Sequence, residues 1–176
     1  PSAGGASGAA RTHPVAGRTV ELVGVRGGLR PSWWTLTDRV LRQKLNTPAD
    51  TRARGTDRQL GDERMVVRPP RGWDGRSAVG VLVFVHAAPL GVIPEAIAPA
   101  ADELGLVCVS PANAGNDRPA ADRYQLTLDA IQTVRERYPV DDDRVYVCGL
   151  SGGGKVSTHV WAGFPEIVRG AGPVVA

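Results

Sequence analysis

The run Val79-Gly80-Val81-Leu82-Val83-Phe84-Val85 constrains the fold more than any other stretch. Nearly every residue is apolar and most are β-branched, which suits an extended backbone and leaves no polar face for water. A strand that is apolar on both faces must be covered on both, as in a parallel sheet flanked by helices. Leu106-Val107-Cys108-Val109 and Arg144-Val145-Tyr146-Val147-Cys148 repeat the pattern. Between these runs, apolar residues change to helical spacing: first Ile97, Ala101 and Leu104, then Tyr124, Leu128, Ile131, Val134 and Tyr138. The second set reads as an amphipathic helix stopped by Pro139. The alternation predicts an α/β fold, a three-layer α/β/α sandwich around a mostly parallel sheet with right-handed crossovers.

The first part of the chain is less regular. Thr19–Val25 alternates apolar and polar residues and reads as a half-exposed strand, and Arg64–Arg68 as a second, ended by Pro69-Pro70. Residues 32–45 fit a helix or an irregular cover, and residues 46–62 a polar loop. Asp141-Asp142-Asp143 reads as a polar turn. Trp33, Trp34 and Trp73 are expected to cover the core, and Trp161 to pack the last helix onto the sheet. Residues 1–16, rich in Gly, Ala and Ser, read as a disordered linker, and residues 17–176 as a single domain. The sequence stops inside the apolar run Ala171–Ala176, so this domain is expected to lack its C-terminal part.

Composition removes several classes. With 42% hydrophobic and 22% charged residues the chain is of globular type. No apolar run approaches the length of a membrane-crossing helix, and two cysteines, Cys108 and Cys148, make no disulfide scaffold. The net charge of +3 is uneven: residues 1–76 hold 14 Lys+Arg against 7 Asp+Glu, and residues 77–176 hold 7 against 11. Arg supplies every basic side chain except Lys44 and Lys155, apart from three histidines, and the arginines neither cluster nor alternate with aromatic residues. No nucleic-acid partner and no membrane are expected.

Gly149-Leu150-Ser151-Gly152-Gly153 matches G-x-S-x-G where a buried strand turns into a helix, the setting of a nucleophile elbow. A serine projecting from so tight a turn needs glycine two residues before and after it, where a side chain would strike backbone. The following helix directs its free N–H groups and positive dipole end at the serine, favouring the anion formed when the hydroxyl attacks an acyl carbon. The oxyanion donors are expected to be the Gly152 N–H and an N–H from His86-Ala87-Ala88-Pro89-Leu90-Gly91, with Ala88 favoured over Ala87. The same residues, through Lys155, also fit G-x-x-x-x-G-K of a phosphate-binding loop. Val156 stands where that loop needs Ser or Thr for Mg²⁺.

Taken together, Val145–Gly154, Phe164–Gly170, Asn113–Arg118 and Leu128–Ala130 resemble the α/β-hydrolase superfamily, and within it the secreted serine esterases of the polyhydroxybutyrate-depolymerase and feruloyl-esterase kind. The resemblance covers residues 79–176. It implies a serine-dependent carboxylester hydrolase in which Ser151 is the nucleophile, a small or polymeric ester is the substrate, no cofactor or metal takes part, and the protein acts in a secreted or periplasmic setting. His86 is followed by Ala87 where many relatives have glycine. The superfamily's chain order is serine, acid, histidine. After Ser151 only Glu166 and His159 are available, and His159 lies eight residues along the same helix, roughly 12 Å away at 1.5 Å per residue. The acid and the histidine are therefore expected beyond Ala176. In the resembled fold the strand of Val81–Val85 separates the strands of Cys108 and Cys148, so both should be free thiols.

Asn113 and Asn116 follow the strand ending at Val109, where loops line a ligand crevice. They read either as substrate-binding residues or as an Asx-type turn, with Asp117 and Arg118 as a local ion pair. Asp129 reads as solvated or bonded to backbone. The competing function is a non-catalytic α/β binding domain with a vestigial elbow.

Overall fold

The computed structural model describes residues 15–32 and 59–174. The expected cover at 33–45, with Trp33 and Trp34, and nearly all of the expected linker 1–16 lie outside the described residues. Six strands form one sheet: β1 (Val20–Val23), β2 (Arg64–Arg68), β3 (Val79–Val85), β4 (Leu106–Pro111), β5 (Val140–Leu150) and β6 (Gly170–Val174). Their order is β1-β2-β4-β3-β5-β6. β4, β3, β5 and β6 run parallel, while β2 is antiparallel to both of its neighbours.

The helices are α1 (Ala98–Glu103), α2 (Ala120–Arg135) and α3 (Gly152–Gly163). Alternation along the strands divides the core in two. Val67, Val81, Val83, Val107, Val109, Val145 and Val147 face one way, with Tyr124, Leu128 and Ile131 of α2 and Val156 and Val160 of α3. Leu82, Cys108 and Tyr146 face the other way, with Ile97 and Ala101 at α1. This is the expected three-layer arrangement. Val81, Val83 and Val85 are completely buried, and each such side chain contributes roughly 1.5–3 kcal/mol through removal from water.

Several expectations need correction. The strand over 19–25 is shorter: β1 ends at Val23, and Gly24–Gly28 form a π-helical turn. Asp141–Asp143 are not a turn outside the sheet but part of β5. Val79 pairs with Val140 and Val81 with Val145, so five steps along β5 match two along β3. The excess bulges outward, and Asp142 and Asp143 pair there with Arg135 and Arg169. Trp161 does not pack onto the sheet; it is 44% exposed, on the side of α3 away from Val156 and Val160.

α2 departs furthest from an amphipathic helix. Asp122, Arg123, Gln125, Thr127, Asp129 and Thr133 are all buried with its apolar residues. Residues from the start of the chain meet this polar side: Ser32 N–H donates to Asp129 at 2.7 Å and Arg30 N–H to Thr133 Oγ1 at 3.2 Å. Asp129 is thus bonded to backbone, as one of its two readings had it, and it is not solvated.

At the far edge, Ser151 N–H donates to the Val174 carbonyl, so the alternation of a parallel pair turns Pro173 outward. The missing N–H of Pro173 then falls on the open edge, and the β5–β6 ladder loses nothing. No helix among the described residues is long and apolar enough to cross a membrane.

Candidate active site

Ser151 sits between the last residue of β5 and the first of α3, with φ 52° and ψ −115°. Among the described residues it alone has a positive φ without being glycine. The conformation is one that L-residues avoid, and it costs on the order of 1–3 kcal/mol. The neighbouring glycines hold the turn in place. A Cβ on Gly149 would meet the backbone of Gly153 and Val85, and a Cβ on Gly153 would overlap the Val85 carbonyl. The elbow is therefore wedged against the C-terminal end of β3, at the loop expected to supply the second oxyanion donor. Because α3 begins directly after Ser151, the three glycines are helical, and no loop is left to wrap a phosphate.

The loops after β3, β4 and β5 meet at this end of the sheet. Asn116 N–H donates to the Ala87 carbonyl at 2.7 Å. Gly115 packs so closely on Ala88 and Pro89 that a Cβ would lie 2.7 Å from Pro89 N. The Asn116 carboxamide lies against Gly152, and a Cβ on Gly152 would overlap it. Neither Gly152 N–H nor Ala87 N–H has an acceptor among the described residues. The Ala88 N–H, favoured from the sequence as the second donor, is given to His86 Nδ1 at 2.9 Å. This leaves Ala87 as the freer amide of the loop.

Asn113 and Asn116 are used differently. Asn113 donates from Nδ2 to Glu63 at 3.2 Å, and its carbonyl accepts from Arg118 at 3.3 Å. Arg118 does not form the expected pair with Asp117. It binds Glu63 at 2.7 Å and Asp122 at 3.3 Å, two carboxylates that are themselves buried. This network fixes the base of the β4–α2 loop. Asn116 sits at its exposed tip.

Ser151 opens onto a cavity of about 430 Å³ lined also by Gly154, Lys155, Thr158, His159, Pro173 and Val174. Lys155 is exposed, as the solvated reading of that residue required. His159 shares the cavity, but its Nδ1 contacts the Lys155 carbonyl at 2.7 Å and its ring stacks on Tyr124 with centroids 5.6 Å apart. Neither His86 nor His159 is hydrogen-bonded to Ser151. No local pattern in the sequence marks the cavity, because part of its wall, Pro173 and Val174, comes from β6, whose pairing no local pattern specifies.

No protein-family model matches the chain, and no curated protein is similar to it in sequence. Solved structures do match. A protein assigned as a dipeptidyl aminopeptidase IV from Bacteroides ovatus ATCC 8483 superimposes with a TM-score of 0.54 at 19% identity, over 64% of this chain and 19% of its own. An acylaminoacyl peptidase matches with a TM-score of 0.51 at 19% identity, over 62% of this chain and 20% of its own. Acetyl xylan esterase from Aspergillus awamori gives 0.50 at 16% identity, over 62% and 45%. The chain has the α/β-hydrolase fold. It spans less than half the length of each of these proteins. Position in this fold agrees with the geometry above: the strained serine follows β5, beside the central β3, and the loop expected to supply an oxyanion donor follows β3 itself.

Proposed function

We propose that the protein is a serine-dependent carboxylester hydrolase working through an acyl-enzyme on Ser151. The observation that carries this is the backbone of Ser151: a non-glycine residue held at φ 52° between a strand and a helix, with flanking glycines that admit no side chain. A linking turn gains nothing from such strain, whereas a nucleophile gains exposure and the N–H groups of the helix start. The vestigial-elbow reading gives no reason for the strain to be kept.

In the proposed reaction the Ser151 oxygen attacks the acyl carbon, and the developing oxyanion lies between Gly152 N–H and an amide of the β3 loop. Collapse expels the alcohol, and water then hydrolyses the acyl-serine. The general base comes from outside the described residues, since neither described histidine is bonded to Ser151. Two kinds of named neighbour, an acetyl xylan esterase and an acylaminoacyl peptidase, support acyl transfer. Esters are favoured over amides here by the resemblance noted in the sequence. Prolonged incubation with a fluorophosphonate followed by peptide mass mapping tests the reading. The adduct is expected on Ser151, formed slowly because no described base activates the hydroxyl, and absent from Ser151→Ala; modification at another residue in its place overturns it.

A further inference from the structure

We propose that the side-chain amide of Asn116 is a further oxyanion donor, acting beside Gly152 N–H from the opposite loop. The proposal rests on the Ser151 acyl-transfer reading. Three observations lead to it. First, the Asn116 carboxamide lies directly on Gly152, the residue after the nucleophile, so closely that Gly152 has room for no Cβ. The carboxamide therefore sits beside the residue whose N–H is expected to bind the oxyanion. Second, the backbone of Asn116 is held in place while its side chain is not used up. Its backbone N–H is fixed to the Ala87 carbonyl, and the base of its loop is fixed by the buried Arg118–Glu63–Asp122 cluster. The Asn116 carboxamide has no hydrogen-bond partner among the described residues, and the residue is exposed, so its N–H groups stay open to a bound substrate. Third, Ala88 N–H is spent on His86 Nδ1, so the β3 loop offers the single amide of Ala87, and a side-chain donor would complete the set with it and Gly152 N–H.

The carboxamide oxygen is the atom nearest the place that a Cβ on Gly152 would take. With no described partner to fix it, rotation about the terminal bond exchanges oxygen for Nδ2 at little cost. A developing anion selects the orientation that presents N–H. Backbone amides cannot be removed by substitution, so Asn116 is also the one donor of this set that mutation can test.

An alkyl boronic acid supplies the test without needing turnover. The Ser151 oxygen bonds to boron, the serine proton passes to solvent, and the product is a tetrahedral boronate anion that mimics the intermediate. Dissociation constants are compared for the unmodified chain, Ser151→Ala, Asn116→Ala and Asn116→Asp, with urea unfolding of each as a check on folding. The adduct is expected to require Ser151 and to weaken at least about tenfold in Asn116→Ala, as for loss of one hydrogen bond to a charged group. Asn116→Asp separates donation from packing, because it keeps the shape and replaces the donor by a carboxylate. It is expected to bind more weakly than Asn116→Ala at neutral pH and to recover part of the difference as the pH is lowered and the carboxyl gains a proton. A Ser151-dependent adduct that Asn116→Ala leaves unchanged, or that Asn116→Asp holds as well as the unmodified chain, overturns the proposal alone. Absence of any Ser151-dependent adduct overturns the acyl-transfer reading, and the proposal falls with it.

Discussion

At Ser151 two costs compete, and their sizes predict an unusual mutant. A side chain at φ 52°, ψ −115° costs on the order of 1–3 kcal/mol, whereas glycine loses an extra ~0.5–1 kcal/mol of chain entropy on folding. The first is larger, so Ser151→Gly is expected to stabilise the protein by about 1 kcal/mol in urea unfolding. Ser151→Ala keeps a Cβ and should show no comparable gain; equal stabilisation by both would mean that strain is not the cause. Gly153→Ala goes the other way. Its Cβ would overlap the Val85 carbonyl, which belongs to the central strand and cannot give, so a loss of about 2 kcal/mol or more is expected. For catalysis, hydrolysis of a nitrophenyl ester by the 176-residue chain should be slow and little altered by Ser151→Ala, since no described base reaches the hydroxyl. A large Ser151-dependent rate would reveal a base not placed here. The nucleophile was legible because glycine, serine and glycine at fixed spacing follow from one local turn. The contact of Asn116 with Gly152 and the His86–Ala88 bond were not, since the first joins distant loops and the second turns on a side-chain orientation that spacing leaves open.

Among the elements, β2 and β3 match the sequence reading residue for residue because their apolar runs are bounded by prolines or polar residues. α2 and the start of β5 do not. The buried Asp129 and Thr133 of α2 take their partners from Ser32 and Arg30, about a hundred positions away, so helical periodicity carries no sign that this polar side is covered. The Asp141–Asp143 run looks like a turn by composition, yet a bulge in the register with β3 keeps it in the sheet. The same distinction between local and distant partners sets the value of the ion pairs. Arg118 and Glu63 have side chains 19% and 5% exposed, while Arg64 and Glu21 are 51% and 49% exposed. Removing Arg118 strands two buried carboxylates, so Arg118→Ala is expected to cost roughly 3 kcal/mol and to loosen the β4–α2 loop. Arg64→Ala, at an exposed pair across β1 and β2, should cost less than about 1 kcal/mol. Similar losses from the two would show that the Arg118 cluster is hydrated in solution.

For the whole molecule, the sheet order could not be read from any single element. Alternation of strands and helices predicts a parallel sheet, but of the order β1-β2-β4-β3-β5-β6 only the place of β3 between β4 and β5 came into reach, through the resemblance carried by the elbow. That order has a chemical consequence. Cys108 on β4 and Cys148 on β5 are separated by β3, and both are free and buried. Strands two apart lie about 9.6 Å from each other, beyond the roughly 7 Å between Cα atoms that a disulfide spans. Burial also pushes both thiols up, Cys108 to about 11 and Cys148 to about 12, so almost no thiolate exists in the folded state at pH 8. Modification must therefore wait for an opening that exposes the central sheet. Two reactive thiols are expected in denaturant without reductant. In the native protein both should react slowly, at similar rates, and faster in step with any mutation that lowers global stability. The same shifts fix the sign of the alkaline response. The unfolded thiols ionise near pH 9 and the folded ones only higher, so the unfolded chain loses protons first. Stability from these groups is whole below pH 9 and falls as the pH climbs from 9 through 11 toward 12. Replacing both cysteines by alanine should remove that part of the alkaline decline while lowering stability at neutral pH. An unchanged decline in the double variant would assign it to other groups, and fast native modification of one thiol alone would show that β4 or β5 opens independently of β3.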